Sequence, residues 1–221
     1  MLKFVCAAAL CLGVASFVPG CQNVQEYLPI TQSNTAFELV QASVVVVSPY
    51  NTQGSGTLID YNGKVYLLTV NHLFDNIPDV TIPGLPNMYD MVIAFDYNGT
   101  PIPVHHYKHD AELDFAMFEV IGGERYNSIN TFAPVFIAAD VWTAQVVGFI
   151  GLHSDGIITV QYDDNHYCSN IEGELGSSGS GVYYKGTTDY VGMVQAKETV
   201  YPFQMVFLPW TEIEKWLDNH P

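Results

Sequence analysis

The chain has 221 residues, 48% of them apolar, and a formal net charge of −16. That length suffices for one large or two small domains with their own cores, and apolar residues spread along the whole chain exclude general disorder. The acidic balance excludes a nucleic-acid partner, which needs basic patches, and disfavours electrostatic docking on anionic lipid.

The first stretch, residues 1–20, reads as a signal peptide. Lys3 supplies one positive charge, and Phe4 to Val18 is an uncharged, mostly apolar run. A membrane span needs about 20 apolar residues, so this run suits export better than anchoring. It ends in Val18-Pro19-Gly20-Cys21, which resembles a bacterial lipobox. That resemblance implies lipidation at Cys21, with Pro19 and Val18 departing from the usual pattern; simple signal cleavage is the alternative. The localisation expected is an exported protein, either a membrane-anchored lipoprotein or a secreted or periplasmic one. The only membrane contact expected is a lipid on Cys21. The other cysteines are Cys6 and Cys11 in the leader and Cys168 in the body. No CxxC pair occurs, so neither a disulfide framework nor a zinc site is expected, and no cofactor is implied. A Cys21–Cys168 bridge is an open alternative use of Cys21. Residues 21–35 read as a polar tether.

Beyond the tether, β-branched and aromatic runs recur at short spacing between Gly, Pro, Asn and Asp. Strands are expected at Leu39–Val47, Gly56–Asp60, Lys64–Val70, Met91–Phe95, Phe115–Val120 and Ala133–Ile137. Further strands are expected at Ala144–Ile150, Gly156–Gln161, Gly181–Tyr184, Tyr190–Gln195 and Gln204–Phe207. Asn62-Gly63 between two of them signals a tight hairpin. So many short strands predict an all-β sandwich or barrel. The exception is Pro209 to His220. There Thr211 and Glu214 fit a capping box, and Ile213, Trp216 and Leu217 share one helical face. Trp210 and Trp216 are read as packing residues.

Three local settings carry chemistry. Gly176-Ser177-Ser178-Gly179-Ser180-Gly181 is a turn of small residues, able to expose a hydroxyl and aim backbone N–H groups at one point. The apolar strand from Val65 to Val70 runs through Asn71 into His72, placing an imidazole at a strand end. Asp114 directly precedes the apolar run Phe115-Ala116-Met117-Phe118, with Asp110 and Glu112 as nearby rivals. A serine hydroxyl becomes a good nucleophile only when a base takes its proton, and an imidazole does this near neutral pH. A carboxylate can hold the imidazole in the right tautomer. The three are therefore read as catalytic: Ser178 as nucleophile, His72 as base and Asp114 as orienting acid. The N–H groups of Gly176 and Ser178 form the expected oxyanion hole.

On these stretches, with Leu67-Leu68-Thr69-Val70-Asn71-His72, Asp114-Phe115-Ala116-Met117 and Gly176-Ser177-Ser178-Gly179-Ser180, the chain resembles the trypsin-like (chymotrypsin-fold) serine proteases. The bacterial exported branch is the better match, since the last stretch is similar to the G-x-S-G-S form of its glutamyl endopeptidases. The resemblance implies an all-β fold of two six-stranded antiparallel β-barrels and a short C-terminal helix. Residues 36–125 would form the N-terminal barrel, carrying His72 and Asp114. Residues 126–221 would form the second barrel and terminal helix, carrying Ser178. It implies an exported endopeptidase that cleaves a protein or peptide substrate through an acyl-enzyme. Its substrate-binding pocket would be lined near Glu172 and Glu174 and along Val194 to Lys197. Glutamates there would favour basic residues in the substrate, whereas Lys197 would favour acidic ones. Ser177 stands where animal zymogens carry an aspartate, so no trypsin-type zymogen switch is expected. A protease-like scaffold without turnover is the alternative from a different class, and an esterase using the same chemistry is a third. An α/β-hydrolase is disfavoured, because its serine precedes its histidine and leads into a helix.

Overall fold

The computed structural model describes residues 34–75, 88–147, 150–171, 175–197 and 205–220. Among the described residues, thirteen strands fall into two sheets. The first holds β1 (Ser43–Val47), β2 (Gln53–Tyr61), β3 (Lys64–Thr69), β4 (Ile93–Phe95), β5 (Pro101–Ile102), β6 (Val104–Asp110) and β7 (Phe115–Val120). Their order is β5-β4-β1-β2-β3-β7-β6. The second is a closed barrel of β8 (Asp140–Val147), β9 (Ile150–Gln161), β10 (Tyr167–Ser169), β11 (Gly181–Tyr184), β12 (Tyr190–Lys197) and β13 (Met205–Pro209), in the order β10-β13-β12-β11-β8-β9. The expected pair of six-stranded barrels is thus corrected on the first side, which is a seven-stranded half-barrel. Every described strand pairing is antiparallel apart from two isolated bridges.

The sequence explains most of the first sheet. β1 is Ser-Val-Val-Val-Val with its first four residues buried, a run too apolar and β-branched for a solvated strand. β2 and β3 close through Asn62 (φ 55) and Gly63 (φ 77), the two positive φ values that a two-residue primed turn needs. β7 lies between β3 and β6, and five of its six residues are buried.

Several expectations required correction. Leu39 to Gln41 belong to a helix, Asn34–Gln41, that ends where the Ser43 hydroxyl donates to the Leu39 carbonyl (2.8 Å). Ala133–Ile137 is no strand. Pro134 has no N–H for a ladder, and the backbone turns left-handed at Ala138 (φ 66). β6 was not anticipated: Val-His-His-Tyr-Lys-His-Asp is polar, lies at a sheet edge and is bulged between His106 and Lys108, which erases the two-residue alternation. β5 and β10, with two and three residues, are too short to leave a pattern. The C-terminal helix runs from Trp210 to Asn219 with Pro209 at the N-cap and no side-chain cap, so the capping box centred on Thr211 does not form.

One hydrophobic core fills the first sheet and continues through Ala144, Tyr183, Tyr190, Met193 and Leu208 of the barrel into Ile213 and Leu217 of the terminal helix. A smaller core, including Val141, Ile158, Val182 and Phe207, fills the barrel. Trp210 joins the two halves. It is buried, stacks on Phe132 (4.2 Å between centroids), and meets Tyr61 of β2 and Tyr190 of β12 edge-on. Replacing Trp210 by Ala should lower the unfolding free energy by about 3–5 kcal/mol, read from urea denaturation, because so large a cavity cannot collapse.

Candidate active site

His72 lies on the one-turn 3-10 helix Asn71–Phe74 that follows β3. Leu73 and Phe74 are buried beneath it and fix the turn, leaving the imidazole side partly exposed (38%). Asp114 closes the tight connection from β6 to β7. Its backbone is left-handed (φ 52), a conformation that costs a non-glycine residue on the order of 1 kcal/mol and that aspartate tolerates better than most. Local bonds hold it there. The Asp110 carboxylate Oδ1 accepts from the N–H of Glu112 (2.9 Å) and of Leu113 (2.7 Å), and the Gln195 amide donates to the carbonyls of Leu113 (2.5 Å) and Asp114 (3.3 Å).

So held, the Asp114 carboxylate grips His72 twice. Oδ1 accepts from the His72 backbone N–H (2.7 Å), and Oδ2 lies 2.8 Å from Nδ1. A carboxylate offers only acceptors, so the proton sits on Nδ1 and the lone pair of Nε2 is left to act as a base. The His72 pKa is raised above its ordinary value. The hydrogen bond to Asp114 is the largest cause, burial opposes it, and the charges of Asp114 and Asp75 add to it.

The serine turn is built against β2. Ser55 N–H donates to the Ser178 carbonyl (2.8 Å), the Ser55 hydroxyl to the Gly176 carbonyl (2.7 Å), and Thr69 Oγ1 to the Ser55 carbonyl (2.7 Å). Gly179 sits at φ 92, where a Cβ would run into the Ser55 carbonyl oxygen; only glycine fits. From the other side, β12 pins the turn through Gly179 N–H to Val194 O (2.7 Å) and Val194 N–H to Ser180 O (2.8 Å). Gly176 is also left-handed (φ 93). Among the three serines of the turn, Ser180 is fully buried and Ser177 nearly so, whereas Ser178 is partly exposed. Its hydroxyl donates to the Gln195 carbonyl (2.9 Å). No bond joins it to the His72 ring among the described residues.

The structure therefore brings His72 and Asp114 into direct contact. Ser178 reaches them through neighbours: Gln195 touches both Ser178 and Asp114, and Gly54 lies against both the Leu73 side chain and the Ser178 carbonyl. Glu172, Glu174 and Cys21 lie outside the described residues. Val194 is buried in the barrel core, and Lys197 ends β12 opposite Met205. The residues around the site that sequence reasoning missed are Ser55, Thr69 and Gln195, while Asp110, expected only as a rival to Asp114, supports its turn instead. Each acts through a bond to residues at a distance or across a turn, for which the linear pattern holds no signal. Among the described residues, no group of three or more His, Cys, Asp or Glu is arranged to hold a metal ion.

The fold is that of the trypsin-like (chymotrypsin-type) bacterial serine proteases. A crystal structure of Rv3671c from M. tuberculosis H37Rv, a serine-to-alanine mutant in an inactive form, matches with a TM-score of 0.66 at 16% identity, over 87% of this chain and 93% of that one. The serine endoprotease from Yersinia pestis matches with a TM-score of 0.66 at 18% identity, over 85% of this chain and 66% of that one. A second crystal structure, of the Rv3671c protease in an inactive form, matches with a TM-score of 0.63 at 17% identity, over 83% and 91%. No family model matches the chain, and no curated protein matches its sequence.

The raised pKa of His72 has a direction that can be checked. Its contribution to stability is fully present below the ordinary histidine pKa of about 6.5 and is lost as pH rises through the folded-state value. Asp114→Asn removes the main cause, so its loss of stability relative to the parent should be larger at pH 5.5 than at pH 9 in urea denaturation. A loss independent of pH would contradict the pairing. Gly179→Ala should destabilise the fold by more than about 1 kcal/mol in the same assay, through its positive φ and the steric conflict with Ser55.

Proposed function

We propose that this protein is an exported serine endopeptidase that hydrolyses peptide bonds through an acyl-enzyme, with Ser178 as nucleophile, His72 as base and Asp114 as orienting acid. The observation that carries the reading is Gln195. Its side chain bonds the turn holding Asp114, and its carbonyl accepts the Ser178 hydroxyl, so the paired acid and base and the serine converge on one residue. In the reaction, Ser178 Oγ attacks the substrate carbonyl carbon while Nε2 of His72 takes the hydroxyl proton. The imidazolium, held by Asp114, passes that proton to the leaving amine as the C–N bond breaks. Water then adds to the acyl-serine by the reverse proton path, releasing the acid and restoring the hydroxyl. The N–H groups of Gly176 and Ser178 supply the oxyanion hole in this reading. They have no acceptor among the described residues, whereas those of Gly179 and Ser180 are taken up by Val194 and Ser177.

To act, the Ser178 hydroxyl must leave the Gln195 carbonyl for the imidazole. The exchange replaces one hydrogen bond, worth about 1 kcal/mol net, by another, and catalytic bonds often tighten only once substrate is bound. In this reading the substrate pocket stays near Glu172, Glu174 and the β12 stretch from Val194 to Lys197, to which Val194, buried in the barrel core, adds no exposed side chain. Export through the leader, with lipidation at Cys21, rests on the sequence; among the described residues no helix is long and apolar enough to cross a membrane.

That no bond joins the Ser178 hydroxyl to the His72 ring among the described residues favours a second reading, a protease-like scaffold without turnover. A fluorophosphonate probe separates the two. The protein should label, and Ser178→Ala and His72→Ala should not; a parent protein that fails to label in its native state supports the scaffold. With a peptide substrate, Asp114→Asn should lower kcat by about a thousandfold or more, because the carboxamide imposes the wrong imidazole tautomer.

A further inference from the structure

We infer that the C-terminal helix positions the orienting acid: Trp216 holds both ends of the turn that carries Asp114. The inference rests on the assignment of Asp114 made above. The turn starts at Asp110 and runs into Phe115. The Trp216 indole N–H donates to Asp110 Oδ2 (2.8 Å), while its ring packs edge-on against Phe115 (5.1 Å between centroids, 85° between planes). The other oxygen of Asp110 is the one that accepts from Glu112 and Leu113. One carboxylate thus takes three N–H groups, two from the strained turn and one from the helix. Only an acceptor at both oxygens can do this. An asparagine that kept the turn would present its NH₂ to the indole N–H, donor against donor.

The helix has attachments besides this one. Its far end is tied to β6, where the Lys108 ammonium donates to the His220 carbonyl and the His220 ring stacks on Trp216 (4.3 Å, 19°). Its attachment to the core is separate, through Ile213 and Leu217. Removing the indole N–H therefore releases Asp110 without detaching the helix. The turn then relaxes from its left-handed backbone, and Asp114 loses its aim at His72. Trp216 and Asp110 touch no reacting atom in this account; they are positioning residues.

The test uses Trp216→Phe, which keeps a ring against Phe115, and Asp110→Asn, which keeps the turn acceptor. The histidine pKa values are read by NMR, with His72 assigned from its absence in His72→Ala. Asp114 and Asp75 are the charged groups acting on this imidazole. In both variants its pKa should fall by about half a pH unit as the Asp114 bond weakens. The kcat on a peptide should fall about 3- to 10-fold with KM unchanged. Lys108→Gln, which loosens the helix end without touching Asp110, should leave both where they are. An unchanged His72 pKa in both folded variants overturns the inference, as does an equal fall in Lys108→Gln. Should Asp110→Asn fail to fold, Trp216→Phe decides alone. A protein that neither labels nor cleaves peptides overturns the catalytic assignment, yet the NMR measurement still decides whether Trp216 positions Asp114.

Discussion

The site depends on the contact between β2 and the serine turn. Ser55 is fully buried, and two of its polar atoms bond across the contact, its N–H to Ser178 and its hydroxyl to Gly176, while its carbonyl takes the Thr69 hydroxyl from the neighbouring strand β3. Buried polar groups left without partners cost about 1–3 kcal/mol each, so this set of bonds acts as a registration device. The turn either docks in this position or leaves several groups unsatisfied. Gly179 completes it by letting the two backbones touch. Because β2 pairs directly with β3, the strand that leads to His72, fixing the turn to β2 also fixes it relative to the imidazole.

The acid side is built differently. Asp114 sits in a left-handed backbone conformation that costs a non-glycine residue, and the surroundings hold it there. The Asp110 carboxylate supplies one restraint from within the turn, and the Gln195 amide supplies another from the barrel. The result is a carboxylate that meets both the main chain and the ring of His72, so the ring cannot swing without breaking a second bond. Two bonds to one carboxylate define an orientation, where a single bond would define only a distance. That orientation keeps Nε2 facing away from the acid.

Gln195 joins these two constructions. Its backbone belongs to β12, which also pins the serine turn through Val194, and its side chain crosses to the β6–β7 connection. It is nearly inaccessible to solvent, so its amide bonds are not exchanged for water. The hydroxyl of Ser178 and the carbonyls beside Asp114 therefore share a rigid neighbour, even though they lie on different sheets.

Local pattern was enough for much of this molecule. Val44 to Val46 and Phe115 to Phe118 could only be buried strands, Asn62-Gly63 could only turn tightly, and the apolar strand before His72 fixed where an imidazole would stand. The pairing of His72 with Asp114, over Asp110 and Glu112, was also legible, because Asp114 alone abuts the strand. Failures came where pattern is weak or opposed: a polar, bulged edge strand at β6, a proline-broken segment after Ala133, and a helix concealed in the apolar run that leads into β1. Composition and periodicity record which side chains prefer water and at what spacing, and so they determined the long apolar strands, the Asn62-Gly63 turn and the residue types of the site. They hold no record of bonds between distant residues. The roles of Ser55, Gln195 and the Asp110–Trp216 link, and the first sheet's seventh strand, were decided only when folding brought those groups within hydrogen-bonding reach.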